Sequence, residues 1–450
     1  MKGSLKHAVW IVALALAGSV AGAASAADDK VERLESLVEK QQRLIEEQGR
    51  MLEEQGRRLE SQEKRMERLS DRMRSMRRAN RTILMSDDDA LDNQVTSGSK
   101  DVKLAISGQI HRAMNLLDDG DSTDLYHVDA DTSNTRVRFV GTGRVTDDVT
   151  LGTNIELAIS PNNSGDVSQD DQNAGDTFDQ RIAEIFLDSE DYGRLAMGKG
   201  PSASDGTAEV DLSGTDLVAY SGWSGLVGGI FFYDDDDDDL SDATISGGFG
   251  NRDGLGRENR IAYETPKFFG VQLAAGANAD ERYDGAIRWA GQGYGFKVAA
   301  AGGIADYERS DDPKYRLSGS VSTLHEATGL NLTLAGGFDD SRPDPRDGDA
   351  DCGVTLDCRD SDGSHLYAKL GLIRSLFDVG DTAFAVDFTR TQNLPTADDD
   401  GQAIGAIVVQ HFDRWGADLY SQFRWIELDR RGPFDLEDVN VGTAGVRVKF

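Results

Sequence analysis

Apolar and polar residues alternate one by one along most of the chain beyond residue 102. A period of two is typical of β-strands in which one face meets apolar surroundings and the other meets water. The sharpest run places Arg136, Arg138 and Arg144 on one face and Val137 and Phe139 on the other. Comparable runs follow at residues 151–159, 260–264, 271–277, 286–290, 295–304, 315–324, 330–338, 364–372, 383–390, 403–412 and 417–428. The pattern predicts an all-β architecture over residues 102–450.

The last run ends on an aromatic residue at the C-terminus. Val446, Val448 and Phe450 lie on one face, and Arg447 and Lys449 lie on the other. An alternating strand that closes on a terminal aromatic is typical of transmembrane β-barrels, in which one face meets lipid and the other meets the interior. We therefore expect Phe450 to be the C-terminal residue that barrel-assembly machinery recognises.

The N-terminus has the pattern of an export signal. Lys2 and Lys6 precede an apolar stretch at residues 8–17, and Ala24-Ser25-Ala26 is a small-residue cleavage site. This arrangement predicts a signal peptide over residues 1–26 rather than a buried N-terminal helix. No other stretch has the roughly 18 to 20 apolar residues that a membrane helix needs. If the exported protein spans a membrane, it must do so as a closed barrel.

A heptad repeat follows the signal and predicts a coiled coil over residues 27–85. Leu37, Leu44 and Met51 at position g widen its apolar stripe, which favours a trimer; a single amphipathic helix packed on a domain is the alternative. Polar, aperiodic residues 86–101 are predicted to be a linker. Position a holds Val31, Val38, Ile45, Leu52, Leu59, Met66 and Met73, and position d holds Leu34, Gln41, Gln48, Gln55, Gln62, Leu69 and Met76.

Connections between the predicted strands alternate between short turns and long acidic loops. Residues 189–193 are a short turn, whereas residues 118–132, 161–178 and 339–362 are long. Bacterial barrels have short periplasmic turns and long extracellular loops, with aromatic girdles at both interfaces. The candidate girdle residues could equally be ordinary core residues; they are Tyr263, Phe268, Phe269, Trp289, Tyr294, Trp415, Phe423 and Trp425.

The strand region carries most of the charge. Residues 28–84 hold 15 Lys/Arg and 13 Asp/Glu, whereas residues 85–450 hold 31 Lys/Arg and 67 Asp/Glu. The formal net charge of the full sequence is −32. So acidic a chain is not expected to bind nucleic acid. No catalytic arrangement and no phosphate loop is visible, so the sequence predicts neither an enzyme nor a cofactor.

Two features of the acidic loops suggest additional chemistry. Cys352 and Cys358 are six residues apart in an exported chain, which predicts a disulfide, because two thiols without a nearby histidine do not complete a zinc site. Six consecutive aspartates begin at Asp234. Asp234, Asp236 and Asp238 are weak candidates for Ca²⁺, and a solvated loop or one that attracts cations to a channel mouth is the alternative.

The chain resembles the Gram-negative trimeric porins over residues 102–450. The resemblance rests on the alternating strands, on Phe450 and on residues 193–200 (Gly-Arg-Leu-Ala-Met-Gly-Lys-Gly), which look like the porin strand before the third loop. The coiled coil makes the chain similar to DcaP-like porins. This resemblance implies a homotrimer of barrels with about 16 antiparallel strands, set among outer-membrane lipid and lipopolysaccharide. It implies passage of small anions such as dicarboxylates, although the loops here are more acidic.

By the same resemblance, residues 201–221 would be the loop that narrows the pore. Its acidic residues would face basic residues on the opposite wall and so orient solutes. Ordinary solvated strand faces are the alternative for the basic set. The candidate constriction residues are Asp205, Glu209, Asp211 and Asp216 on the loop, and Arg136, Arg138, Arg144, Arg260, Arg288, Lys297 and Arg424 on the wall.

The sequence therefore predicts an outer-membrane porin through which small hydrophilic solutes diffuse, with its coiled coil in the periplasm. A structural protein is the competing interpretation. A helix of about 46 residues would extend roughly 70 Å at 1.5 Å per residue, enough to reach toward the cell wall as a tether.

Overall fold

The alternating stretches form strands of one antiparallel sheet in the computed structural model, which describes residues 95–99, 102–306, 315–340 and 362–450. The signal peptide at residues 1–26, the coiled coil at 27–85 and the pair Cys352 and Cys358 lie outside the described residues and stay predictions. Within the described ranges, no helix is long and apolar enough to cross a membrane.

The strands follow one another as antiparallel neighbours. The first half consists of β1 (Val95–Gly98), β2 (Val102–Asp118), β3 (Thr123–Asp129), β4 (Arg136–Arg144), β5 (Val149–Pro161), β6 (Asp176–Ser189), β7 (Gly193–Pro201), β8 (Phe231–Asp234), β9 (Asp239–Thr244) and β10 (Arg257–Glu264). The second half consists of β11 (Val271–Asn278), β12 (Tyr283–Gly293), β13 (Phe296–Asp306), β14 (Tyr315–His325), β15 (Leu330–Asp340), β16 (Ser364–Phe377), β17 (Gly380–Gln392), β18 (Asp400–Phe412), β19 (Ala417–Asp429) and β20 (Val439–Lys449).

Helices within the described residues are single turns. One α-helix, α1 (Ile245–Gly248), is capped by the Thr244 side chain, which accepts a hydrogen bond from the Gly247 backbone N–H. The 3₁₀ turns are Asp131–Ser133, Trp223–Leu226, Ala279–Glu281 and Asp413–Trp415.

The sheet closes because β20 pairs with both β19 and β2. Eighteen strands belong to it, but β3 and β4 share one edge of β2, and β1 and β20 share the other. Sixteen strand positions therefore surround the lumen, which confirms the predicted closed antiparallel barrel. Because β1 pairs with residues 103–106 of β2, the sheet begins within the stretch 86–101 that the sequence analysis treats as a linker.

Phe450 completes the closure at the C-terminus. Its backbone N–H donates to the Gly108 carbonyl at 2.9 Å and its carbonyl accepts from the Gly108 N–H at 2.8 Å. A Cβ at position 108 would lie 2.6 Å from Cζ of the Phe450 ring, so glycine there lets the ring lie against β2. The role of Phe450 in barrel assembly stays a prediction.

The outer face of the barrel is apolar, as the alternation predicts. Exposed aliphatic residues such as Ile110, Leu125, Ile287, Leu332 and Leu419 point outward along the strands. Several exposed aromatic residues occur at or beside the short turns, where an interfacial girdle is expected: Tyr192, Phe268, Phe269, Tyr294, Phe377 and Trp415.

Inside the barrel, the connection from β7 to β10 fills part of the lumen. It contains the Trp223–Leu226 turn, the β8–β9 hairpin and α1. Its buried apolar residues form one cluster with inward-facing wall residues such as Tyr367, Ile426 and Val441. The largest hydrophobic core among the described residues thus lies in the lumen, between this connection and the wall.

Candidate pore constriction

The loop inside the lumen, which we call the inserted loop, comprises residues 202–256 between β7 and β10. The sequence predicts that this loop ends at residue 221, whereas in the structure it continues to residue 256. Ser221 is followed by apolar residues, including Trp223, Phe232 and Phe249, that continue across the lumen and pack on the wall. The six-aspartate run therefore belongs to the same loop.

A row of serines on β14 holds the first part of the inserted loop. The Val210 N–H donates to Ser320 Oγ at 2.9 Å, and the Leu212 N–H donates to Ser322 Oγ at 2.9 Å. Ser320 Oγ donates in turn to the Thr207 carbonyl at 2.6 Å. These small hydroxyls face inward by alternation and satisfy loop backbone groups that would otherwise be buried without partners.

A buried ion pair holds the middle of the inserted loop. Lys369 on β16 is fully buried, and its ammonium group bonds Asp211, the Thr215 hydroxyl at 3.0 Å and the Ala219 carbonyl. Asp211 thus neutralises a wall lysine. Sequence reasoning did not find Lys369, because its partners lie about 150 residues earlier in the chain.

A tryptophan side chain holds the next part of the inserted loop. The Trp223 indole donates to Thr389 Oγ1 at 2.8 Å and lies 4.0 Å from the guanidinium carbon of Arg424. Arg424 forms two hydrogen bonds of 2.7 and 2.8 Å with Asp387, and both side chains are fully buried. Arg424 faces inward as predicted, but it lies beneath the loop.

Three arginines surround one carboxylate on the opposite wall, and we call this group the arginine cluster. Arg138 Nε lies 2.7 Å from Glu156, Arg181 Nε lies 2.7 Å from it, and Arg136 Nη1 lies 3.6 Å from it. Glu156 is nearly inaccessible, whereas Arg138 and Arg181 keep partial exposure. The cluster carries a formal net charge of +2 on the inner face of β4, β5 and β6.

Alternation alone does not find Arg181. Glu156 pairs with Ile182 and Leu157 with Gln180, so Arg181 is the extra residue of a β-bulge. An extra residue shifts the inward/outward alternation of a strand by one. The bulge lets Arg181 reach Glu156 on the inside, although the flanking pattern would predict an outward side chain.

Carboxyl groups of the inserted loop form a second charged group. Asp253 accepts the backbone N–H groups of Gly206 at 2.5 Å and Ala208 at 2.7 Å, and Glu209 accepts from the Asn251 amide at 2.9 Å. Burial, together with the like charges of Asp253 and Asp205, raises the pKa of Glu209 above its ordinary value. Burial and Asp205 likewise raise the pKa of Asp253.

Arg257 acts electrostatically on one member of each charged group. It lies at the first position of β10, is exposed, and is within electrostatic range of both Glu209 and Arg181. Sequence reasoning missed it, because the predicted run begins at residue 260. The described residues thus place acidic groups of the inserted loop and basic groups of the wall around a common basic residue.

Other wall candidates lie elsewhere. Arg144 is exposed at the short-turn end of β4. It is six residues beyond Arg138, a distance of about 20 Å along a strand that rises 3.3 Å per residue. Arg260 is buried against Glu184 at 2.5 Å, and Arg288 donates to the carbonyls of Ala203 at 2.9 Å and Asp205 at 2.7 Å. Lys297 lies 3.5 Å from Glu326. These four residues are not brought to the arginine cluster.

The weak Ca²⁺ candidates have other contacts. Asp234 is buried and accepts the backbone N–H groups of Asp435 at 3.1 Å and Asp236 at 3.2 Å. Asp238 accepts from the Tyr233 hydroxyl at 2.6 Å. Within the described part of the chain, no three His, Cys, Asp or Glu side chains are arranged to hold a metal ion.

Comparisons with known proteins agree with this architecture. The family model described as Gram-negative porin matches residues 92–431. No curated protein matches the sequence significantly. Three solved structures share the fold. An anion-selective porin of Comamonas acidovorans is 15% identical, with 78% of this chain and 100% of that chain covered and a TM-score of 0.51. DcaP of Acinetobacter baumannii and OmpT of Vibrio cholerae are each 12% identical, with 79% of this chain and 99% of that chain covered and a TM-score of 0.50.

Proposed function

The chain belongs to the Gram-negative porin family and forms an outer-membrane channel, and on that premise we propose that small hydrophilic solutes diffuse through it with a weak preference for anions. The passage runs between the inserted loop and the arginine cluster. A channel of this kind needs a narrow point and an electric field rather than a catalytic group.

The arrangement of Arg136, Arg138 and Arg181 around Glu156 carries this proposal. Three guanidinium groups gather around the single carboxylate of Glu156 on the inner face of the wall. A group of guanidinium side chains attracts anions where a solute must shed part of its hydration. The acidic carboxyls of the inserted loop weaken this preference without cancelling it, because Arg257 acts electrostatically on Glu209 and Arg288 acts on Asp253.

Acidic groups at the channel mouth act differently from groups at the constriction. Exposed charges are screened within about 8 Å at physiological salt. Inside a narrow passage the effective dielectric is lower than in bulk water, so charges there act more strongly. We therefore infer that the constriction, rather than the acidic outer loops, decides between anions and cations.

Reversal potentials across a salt gradient test the proposal. Replacing Arg136, Arg138, Arg181 and Glu156 together by Gln removes the net positive charge without leaving Glu156 buried and unpaired. We expect the anion-to-cation permeability ratio to fall on the order of tenfold, equivalent to about 1.4 kcal/mol, and uptake of small dicarboxylates to slow. Arg144→Gln is the matched control, since Arg144 lies at the short-turn end. Unchanged selectivity in the fourfold variant would contradict the proposal.

We also propose that three chains assemble and that the heptads of residues 31–76 lie in the periplasm as a three-stranded coiled coil. The wide apolar stripe over positions a, d and g supports this stoichiometry. Sedimentation of a peptide covering these residues tests it: a monomer at high micromolar concentration is incompatible with the proposal. If the tether were the whole function, purified protein would show no conductance in planar bilayers.

A further inference from the structure

His411 connects the inserted loop to the barrel wall through both of its ring nitrogens. It lies one residue before the end of β18. Its Nδ1 is 2.7 Å from Asp418 Oδ1 on β19, and its Nε2 is 2.9 Å from the carbonyl oxygen of Gly214 in the inserted loop. The ring therefore bridges the wall and the loop directly.

Both partners of His411 are acceptors. A peptide carbonyl has no proton to donate. Asp418 is bonded through its other oxygen by Arg447, at 2.9 Å from Nε and 2.8 Å from Nη2, which keeps the carboxyl group ionised. A neutral imidazole has one N–H and can make only one of the two hydrogen bonds, whereas the imidazolium ion makes both. The observed geometry thus requires a protonated ring.

From this geometry we propose that His411 is a protonation-controlled latch that fixes residues 213–216 of the inserted loop to the barrel wall. The inference rests on the proposed channel function and describes its regulation. When the ring loses its proton, the remaining N–H goes to the ionised Asp418, because a charged acceptor makes the stronger bond. The ring nitrogen then turns a lone pair toward the Gly214 carbonyl, and the loop is released at that point.

The groups around His411 are consistent with loss of its hydrogen bond to the Gly214 carbonyl when the ring is deprotonated. Acidic groups come from two sides, Asp418 on β19 and Asp216 in the inserted loop, while Arg447 and Lys449 on β20 face Asp418. The groups of β16 and β17 near the contact are apolar: a Cβ at Gly214 would lie 3.3 Å from the Cβ of Ala383 and 3.6 Å from Cδ1 of Ile373. These neighbours supply no alternative donor for the Gly214 carbonyl.

The neighbouring anchor does not involve His411. Lys369 bonds the Thr215 hydroxyl at 3.0 Å, directly beside Gly214, and it also bonds Asp211 and the Ala219 carbonyl. Loss of the His411–Gly214 hydrogen bond therefore frees the loop at Gly214, while Lys369 still holds it at Thr215. The expected consequence is fluctuation of residues 213–216, with Asp216 among them, rather than loss of the whole loop.

Single-channel recording between pH 5 and pH 8.5 tests the latch. For the wild-type protein we expect steady open-channel current at pH 5 and at least a severalfold rise in current noise toward pH 8.5. His411→Phe keeps a ring but no donor, so its noise should be high at every pH. His411→Gln always carries an N–H donor, so its noise should not follow pH. His127→Gln is the control, because His127 is exposed on the outer side of β3.

A wild-type noise profile retained by both His411 variants would overturn the latch, and so would wild-type noise that does not change with pH. If His411→Phe fails to fold, hydrogen exchange of residues 210–221 in wild type and His411→Gln, corrected for intrinsic pH effects, decides the question. Protection in the wild type should fall at high pH and stay constant in the variant; equal behaviour contradicts the latch. Absence of any conductance would instead contradict the proposed channel function.

Discussion

Lys369 is a fully buried ammonium group whose hydrogen-bond partners among the described residues all belong to the inserted loop. Taking a charge out of water costs several kcal/mol, which only well-placed partners offset. The desolvation cost offsets much of the attraction between Lys369 and Asp211. The main effect of the pair is therefore to fix the position of the loop. Asp211, expected to face solutes from the sequence, acts as a structural anchor in this geometry.

Replacing Lys369 by Met should leave Asp211 buried without its counter-charge. We expect a loss of about 3 to 5 kcal/mol in the free energy of unfolding, the usual effect of removing one partner from a buried ion pair. The unfolding midpoint of the barrel in detergent measures it. Lys297→Met is the control, because the Lys297–Glu326 pair is partly exposed and should change stability by at most about 1 kcal/mol. Adding Asp211→Asn to Lys369→Met should restore most of the loss; no restoration would mean that the ion pair is not the cause.

At the scale of the structural element, the inserted loop forms an apolar core together with the barrel wall. Phe232, Ile245 and Phe249 are fully buried with wall residues of β16 to β20. Barrel interiors are usually polar, so an apolar patch on the inner wall marks the area that the loop covers. Among the described residues, no member of β4, β5 or β6 belongs to this apolar cluster.

Trp223 is the residue on which this core most depends. Its ring is fully buried, packs on Phe249 at 5.5 Å between centroids and covers Arg424. Trp223→Ala should cost about 3 to 5 kcal/mol of loop anchoring and increase single-channel conductance, because a detached loop obstructs less of the lumen. Trp289→Ala on the outer face should leave conductance at the wild-type value. Unchanged conductance in Trp223→Ala would show that the loop does not set the pore size.

The strands could be predicted from the sequence because residues of a barrel wall alternate between the lipid-facing side and the lumen-facing side. Arg136 and Arg138 follow this alternation. The inserted loop has no such period. Its apolar residues are buried by contacts with wall residues such as Tyr367 and Ile426, more than 100 positions away, so its end could not be read locally. Arg181 was missed for a different reason: one bulge changes the face of a side chain without any signal in composition.

At the scale of the whole molecule, the sequence has a formal net charge of −32, whereas three arginines gather around one carboxylate on the inner face of β4 to β6. Exposed acidic groups on the loops are screened by salt. In the proposed channel, the arginine cluster and the inserted loop border a confined passage, where screening is weaker than at the surface. Selectivity should therefore depend on the protonation of a few loop carboxyls rather than on total charge.

Anion preference should rise as the pH falls. Burial and neighbouring carboxylates raise the pKa values of Glu209 and Asp253, so these groups take up protons above the usual carboxyl range of about pH 4. Each proton removes a negative charge from the loop, while the wall guanidinium groups stay charged. The anion-to-cation permeability ratio should thus increase as the pH is lowered from 9 to 5, severalfold at low salt.

Reversal potentials measured from pH 9 to pH 5 check this selectivity prediction in wild type and in the double variant Glu209→Gln, Asp253→Asn. The double variant should be anion-selective throughout and nearly independent of pH, because its loop is permanently neutral at both positions. His411→Gln should keep the wild-type selectivity curve, since His411 acts on the motion of residues 213–216 and not on the charge of Glu209. If the double variant follows the wild-type curve, the titrating charge lies outside the pair, and the field at the constriction is set by other groups.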